Sequence, residues 1–338
     1  MIHPEALATV RALRDRGHRA YVTGGCVRDL ALRVYPSDYD LATSASAVEI
    51  VALFGGASPA RKRAARVGLS ADDTIEVDVI PMDDPPWIPA GAWRAQARTG
   101  DLDGDFARAF DYTVNALLYD PVDDALYDHV DGLRDLETRT LRAVGDPLRQ
   151  LARNRTAVVR GVTLAERRGL TMEPATREAM RQNADAVAGA RPFQRSEAMI
   201  KVLASGASAR IASTLRALGV LEHALPPKLA RRFEEGSTAM AHLRALDAMP
   251  KRAMPYAALG AVLLLDAVMG ATPAARDRTL TSLAARVPLS PARWNEAREA
   301  LHAFDRARRG RAVSLKGPAK RALAVLLAVD ETARGGDP

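Results

Sequence analysis

The sequence predicts an α+β protein, with strands and helices mixed in its front part and helices alone behind. Three observations carry that reading. Residues 20–43 fall into strand, glycine turn, short helix and strand. Residues 74–80 alternate apolar with acidic side chains, the two-residue period of a half-buried strand. Beyond residue 230 the apolar positions recur at helical spacing, over 238–248, 256–270, 274–287, 291–309 and 318–334.

A chain of 338 residues suits two or three domains with ample core. Cys26 is its one cysteine, which rules out a disulfide framework or a cysteine-ligated zinc site. The opening Met-Ile-His-Pro-Glu lacks the charged-then-apolar pattern of a signal peptide. The longest apolar run, 256–269, is interrupted by Asp266 and is too short to span a bilayer. No membrane partner is expected, and a cytoplasmic protein fits. Charge is unevenly spread. Residues 1–150 hold 17 Lys and Arg against 24 Asp and Glu, a net of −7. Of the totals of 48 and 41, residues 151–338 keep 31 against 17, a net of +14. An acidic front suits metal binding and a basic rear suits a polyanion such as RNA. Arginine-rich helix surfaces alone would give the same rear.

Taken in order, residues 4–18 read as an amphipathic helix with Leu7, Val10 and Leu13 on one face. Tyr21 and Val22 favour a strand, and Gly24 and Gly25 allow a tight turn and a close approach to the backbone. Cys26 to Leu32 read as a short helix. Its free N–H groups face whatever sits over the glycines, which suits a phosphate. Asp38 and Asp40 follow on the next strand and share one face. Two neighbouring carboxylates repel unless a cation lies between them, and oxygen ligands suit Mg²⁺. With a phosphate cradle nearby, the pair fits two-metal phosphoryl transfer. The bland alternative is an exposed Asp-Tyr-Asp turn after Pro36-Ser37, with Gly-Gly as another turn; the order and spacing together favour the site. Residues 46–54 read as a helix. Residues 61–66 are a basic cluster, either a phosphate contact or a solvated face. In 74–80, Ile75, Val77 and Val79 share one face while Glu76 and Asp78 share the other, either a site or a solvent-facing edge. Residues 81–105, dense in proline and glycine, read as a loop.

The string Gly24-Gly-Cys-Val-Arg-Asp29, followed by Asp38-Tyr-Asp-Leu-Ala-Thr43, resembles the nucleotidyltransferase head of bacterial poly(A) polymerases and CCA-adding tRNA nucleotidyltransferases. Residues 111–120, Asp-Tyr-Thr-Val-Asn-Ala-Leu-Leu-Tyr-Asp, resemble the next motif of that family, with Asp111 and Asn115 one helical turn apart. Residues 121–147 continue the likeness. Their Tyr127-Asp128 run resembles the poly(A) polymerase branch, and Gly132 marks a bend between head and neck. The likeness resumes over 189–227, where Glu197 and Lys201 are spaced to pair along a helix, and fades beyond 230. There Arg306, Arg308, Arg309 and Arg311 form a basic helix end, either RNA-contacting or solvated.

The chain also departs from the pattern. Pro81 and Phe110 stand where the family carries arginines, and Asp78 is an extra acid. The neck motif Arg-x-x-Glu-Asp-x-x-Arg, which reads the incoming base in the family, is degenerate. Aligned without gaps, Arg153-Asn154 replace Glu-Asp and Ala157 replaces the arginine, leaving Arg153 and Arg155 to meet phosphate. Aligned with a gap, Asp146-Pro-Leu-Arg149 becomes the template.

The resemblance implies a mixed-sheet nucleotidyltransferase head over 1–140, a helical neck and body over 141–230 that binds nucleotide and RNA, and a helical tail over 231–338. It implies a template-independent nucleotidyltransferase that adds AMP from ATP to an RNA 3′ end (mRNA, small RNA or tRNA) and releases pyrophosphate. CCA addition, using CTP as well, is the alternative; a head repurposed for a small molecule or protein is the third reading. Asp38 and Asp40 would hold two Mg²⁺, and Glu76 would complete the catalytic carboxylates. Gly24, Gly25 and Arg28 would hold the triphosphate, Asp111 and Asn115 the sugar, and Asp29 would belong to the same nucleotide-binding set. Asn154 would be a further nucleotide contact. Arg153, Arg155, Arg160, Arg308 and Arg309 would contact RNA. Oligomeric state stays open.

Overall fold

The structure is a computed structural model that describes residues 2–36, 38–54, 65–69, 76–83, 101–250, 254–284 and 289–335. The chain divides into two compact units, residues 1–154 with 171–177, and residues 155–170 with 178–338.

In the first unit, six strands among the described residues form one sheet. They are β1 (Ala20–Thr23), β2 (Asp38–Thr43), β3 (Ala65–Leu69), β4 (Glu76–Pro81), β5 (Leu118–Asp120) and β6 (Ala125–Tyr127). Their order is β3-β4-β2-β1-β5-β6. β2 and β4 run parallel, and the other neighbours are antiparallel. The same unit holds helices α1 (Pro4–Arg14), α2 (Gly25–Ala31), α3 (Ala47–Phe54), α4 (Leu102–Ala107), α5 (Gly132–Glu137) and α6 (Pro147–Ala152). A second, two-stranded parallel sheet pairs β7 (Thr140–Leu141) with β8 (Thr171–Met172).

Side-chain alternation gives the large sheet two different faces. On one, Val22, Tyr39, Leu41, Val77 and Val79 are buried. The amide of His3, at the start of α1, donates to the Tyr39 hydroxyl at 3.3 Å on that side. On the other, Tyr21, Ala42, Ile80, Met82 and Leu118 form a cluster with Phe106 of α4 and Ala109. The Phe106 and Phe110 rings meet edge to face at 5.3 Å.

Several elements differ from the sequence reading. α1 stops at Arg14, because the chain turns through Gly17 at φ +82°. Residues 65–69, partly counted in the basic cluster, form the edge strand β3. Residues 102–105, read as loop, belong to α4 with Phe106 and Ala107: Leu102 and Phe106 both pack on the sheet cluster, and that burial outweighs local preference. On β4, Val77, Asp78, Val79 and Ile80 are all buried, so this is an interior strand and not a solvent-facing edge. Asp111 and Asn115 do not share a helical turn. Tyr112 bridges Ala143 in extended conformation, and only Thr113–Asn115 form a single 3₁₀ turn. Residues 61–64, Ile75 and residues 84–100 lie outside the described residues.

Gly132 serves close packing, not a bend. It opens α5, and a Cβ there would lie 2.3 Å from the Thr113 carbonyl oxygen. The same helix supplies Asp135, 3% exposed, which accepts from the Thr113 hydroxyl at 2.7 Å and from Arg142 Nε at 3.1 Å. Arg142 Nη1 lies 3.5 Å from Glu173, just past β8. These bonds pin the segment after Asp111.

The second unit is helical. It contains α7 (Ala157–Arg168), α8 (Pro174–Gln182, begun in the first unit), α9 (Pro192–Leu203), α10 (Ser208–Ala217), α11 (Leu221–Ala224) and α12 (Pro227–Ala230). α13 (Thr238–Ala248), α14 (Tyr256–Val268), α15 (Pro273–Ala284), α16 (Pro291–Arg308) and α17 (Gly317–Gly335) follow, close to the helices read from periodicity. α14 is apolar and buried nearly all round, packed by α13, α16 and α17. Ser237 and Ser290 cap α13 and α16 as hydroxyl acceptors. Glu197 and Lys201 sit one turn apart on α9, both exposed, and form no ion pair among the described residues. Among the described residues, no helix is long and apolar enough to cross a membrane.

Gly132→Ala forces the Thr113 carbonyl aside. It is expected to destabilise the chain by about 1–3 kcal/mol, read as a lower urea midpoint with an unchanged slope; an unchanged midpoint would show that the packing there is not restrictive.

Candidate active site

The candidate site grows from the pairing of β1, β2 and β4. In the parallel β2–β4 pair, Asp38 stands opposite Glu76 and Asp40 opposite Asp78. Paired residues of parallel strands project to the same face. Positions 38, 40, 76 and 78 therefore make an acidic block on one face, beside Ala42 and Ile80 further along. The alternate positions, Tyr39, Leu41, Val77 and Val79, hold the opposite face in the core. Asp38 is exposed, Asp40 half-buried and Asp78 buried. The side chain of Glu76 lies outside the described residues.

The glycine turn meets this block. β1 pairs with β2 so that Thr23 stands opposite Asp40. Gly24 follows with φ +74°, and a Cβ there would lie 3.0 Å from Asp40 Oδ2. Only glycine takes that conformation and that proximity without strain. α2 begins at once, so Gly24 stands at its N-cap. Cys26, behind the turn and 3% exposed, donates from Sγ to the Thr23 carbonyl at 2.9 Å. Burial, and then the nearby Asp40 carboxylate, push its thiol up to about 12. It is a neutral packing group there.

Arg28 links this turn to the 111–115 segment. Its Nη1 donates to Asn115 Oδ1 at 2.6 Å, and its Nε donates to Asp29 Oδ1 at 2.8 Å. A Cβ on Gly25 would lie 3.3 Å from Arg28 Nη2. Gly25, Arg28, Asp29 and Asn115 thus form one connected group, while Gly24 and Asp40 form another. Asp111 is half-buried, and its carbonyl accepts from Val144 N–H at 3.1 Å.

The residues of the degenerate neck motif are divided. Asp146 caps α6, accepting from Arg149 N–H at 2.9 Å. Arg153 ends α6 and donates to Gln150 Oε1 at 2.8 Å; the Gln150 amide in turn donates to the Phe110 carbonyl. This buried glutamine, which no motif singled out, ties the end of α6 to the residue before Asp111. Asn154 closes the first unit. Arg155 and Arg160 belong to the second unit, where the Arg155 guanidinium lies against Gly189. Arg308 is not a free cation: its Nε lies 3.3 Å from Asp330. Arg309 is exposed.

The donor set is oxygen-only and carries several negative charges, which suits a hard divalent cation. Among the described residues, no three His, Cys, Asp or Glu converge to hold a metal ion. Asp38 and Asp40 stand two apart on one face of β2, with position 76 opposite Asp38 and Asp78 opposite Asp40.

Paired strand carboxylates beside a glycine turn and helix start define a nucleotidyltransferase type of head. Residues 20–142 match the poly A polymerase head domain, and residues 169–232 match the family described as "Probable RNA and SrmB- binding site of polymerase A". Over these residues the chain is similar to the poly(A) polymerase and CCA-adding enzyme family. Poly(A) polymerase I of Haemophilus influenzae is 28% identical over 254 residues, 72% of this chain and 56% of that protein. The CCA-adding enzyme of Lactobacillus johnsonii is 30% identical over 185 residues, 53% of this chain and 44% of that protein. The chain thus spans about half the length of the curated relatives it matches. The crystal structure of the Bacillus stearothermophilus CCA-adding enzyme in complex with CTP superposes with a TM-score of 0.67 at 22% identity. That match covers all of this chain and 80% of the other, and shows a shared fold.

Removing the acceptor that holds Arg28 tests the link. Asn115→Ala is expected to lower stability by about 1–3 kcal/mol, since it leaves a little-exposed guanidinium short of a partner. Asn115→Asp, which keeps an acceptor, recovers most of it in the same denaturation experiment; equal losses in both would refute the link.

Proposed function

We propose that this chain transfers a nucleotide to the 3′ end of an RNA without a template, with ATP as donor and AMP as the added unit. The acidic block carries this reading: Asp38 and Asp40 on one face, residue 76 opposite in register, and a glycine turn against Asp40. The 3′-hydroxyl oxygen bonds to the α-phosphorus, the bond from that phosphorus to the bridging oxygen breaks, and pyrophosphate leaves. Asp38 and Asp40 would hold two Mg²⁺, with Glu76 assisting. When bound, Mg²⁺ supplies acidification of the 3′-hydroxyl and neutralisation of the leaving charge. The main-chain N–H groups after Gly24 and Gly25 approach the triphosphate. Arg28 holds the turn to Asn115, which with Asp111 orients the sugar. No protein nucleophile is required.

CCA addition is the second reading, favoured by the 30% identical relative. Against it stands the neck, where Arg153 and Asn154 occupy positions of the base template. Alternating between CTP and ATP needs an intact base template, and Arg153, which only donates hydrogen bonds, breaks it.

The test incubates the chain with Mg²⁺, each labelled NTP in turn, and either an unstructured RNA oligomer or a tRNA lacking its CCA end. Long A tails on the oligomer are expected. Asp38→Ala/Asp40→Ala should lose at least about 10³-fold in rate, from several kcal/mol of charge stabilisation. Short C and A addition to tRNA would establish the second reading. Absence of metal-dependent transfer to either RNA would refute both and direct attention to small-molecule or protein acceptors.

A further inference from the structure

Each nitrogen of the Arg28 guanidinium has a partner within the first unit. Nε donates to Asp29 Oδ1 at 2.8 Å, Nη2 lies 2.7 Å from the same oxygen, and Nη1 donates to Asn115 Oδ1 at 2.6 Å. The Arg28 side chain is 12% exposed and that of Asp29 11%. An arginine whose charge is balanced by the next residue offers a triphosphate little net attraction. Its contact with Asn115 does something different.

A guanidinium only donates hydrogen bonds. The atom of Asn115 that faces it is therefore the carbonyl oxygen, and the amide cannot turn over while that bond lasts. The amide nitrogen is thereby aimed away from Arg28. Asn115 Nδ2 makes no hydrogen bond among the described residues, and it is not sealed from solvent. The residue is half-buried. Its backbone is fixed by the 3₁₀ turn, in which its N–H donates to the Tyr112 carbonyl at 3.0 Å.

The outcome is a firmly mounted pair of N–H donors with no bond of their own inside the unit. They stand one side chain away from the glycine turn, since a Cβ on Gly25 would lie 3.3 Å from Arg28 Nη2. A sugar carried by phosphates over that turn offers hydroxyl oxygens to such donors. A hydroxyl oxygen accepts from N–H, whereas a C–H in its place cannot, and the donors then stay with water.

We propose that Arg28 is a positioning residue for the sugar and not a ligand of the triphosphate: it holds the Asn115 amide as the donor to a ribose hydroxyl oxygen. The inference rests on the nucleotide-transfer reading above and deepens it by giving the sugar contact a polarity and a residue that sets it.

The test titrates the full chain calorimetrically with ATP, 2′-deoxy-ATP, 3′-deoxy-ATP and inorganic tripolyphosphate, in Mg²⁺ and without RNA. ATP is expected to bind about 3–10-fold tighter than the deoxy form that lacks the contacted hydroxyl, the worth of one solvent-reached hydrogen bond. Arg28→Met removes the donors to Asn115 and should abolish that preference while leaving the tripolyphosphate Kd unchanged. Arg28→Lys keeps a donor toward Asn115 Oδ1 and should retain the preference. Asn115→Ala leaves the Arg28–Asp29 pair in place and should also abolish it; this variant decides the outcome if Arg28→Met does not fold. Each preference compares two ligands on one preparation, so a general loss of folded protein cancels. A preference that survives Arg28→Met or Asn115→Ala overturns the proposal. So does a weakened tripolyphosphate Kd in Arg28→Met, or equal affinity of the parent chain for all three nucleotides. The measurement needs no transfer. A chain that shows the expected preferences yet extends no RNA refutes the polymerase reading and leaves the sugar contact standing.

Discussion

The register between β2 and β4 is the constraint on which the rest depends. It sets residue 38 against 76 and 40 against 78, so one face of two adjoining strands gathers acids while the other gathers Tyr39, Leu41, Val77 and Val79. A slip of one residue would exchange the faces, sending the carboxylates into the core and the valines outward. Burial therefore enforces the geometry on which the proposed chemistry rests.

Around that block the chain uses a few clamps with different partners. Arg28 joins α2 to Asn115. Asp135 of α5 holds the Thr113 hydroxyl, and Arg142 reaches Asp135 and Glu173. Gln150 of α6 holds the Phe110 carbonyl. All three converge on residues 110–115, a segment with only one 3₁₀ turn of its own. Irregular backbone held by tertiary bonds is stiff without being regular. That is what the proposed sugar-orienting role requires.

The local geometry of the candidate site was legible in the sequence because its signals are local. Gly24-Gly25 before a short helix, and Asp38 and Asp40 two apart on a strand, each state a backbone geometry without reference to distant residues. What stayed hidden was decided at long range. The edge strand β3 exists only through its pairing with β4. α4 lies in a stretch dense in proline and glycine, and it forms because Leu102 and Phe106 find the far end of the sheet. Gly132 read as a bend between head and neck, yet its lack of a side chain serves the Thr113 carbonyl. Arg308 looked like a free cation, and its partner lies 22 positions later in the chain. Asp111 and Asn115 sit at helical spacing without sharing a helix, since the backbone at Tyr112 is claimed by Ala143.

β8 gives the first unit a discontinuous chain. Residues 171–177 return to it after α7 has been made elsewhere, and β8 pairs with β7 while Glu173 N–H bonds to the Leu141 carbonyl. A ribosome delivers the N-terminal portion first, at about 5–20 residues per second. Strand β7 and the Arg142 clamp accordingly wait, incomplete, until residue 173 has emerged. The nascent head is thus finished by a segment that arrives late, and any dissection that stops at residue 154 removes its last strand.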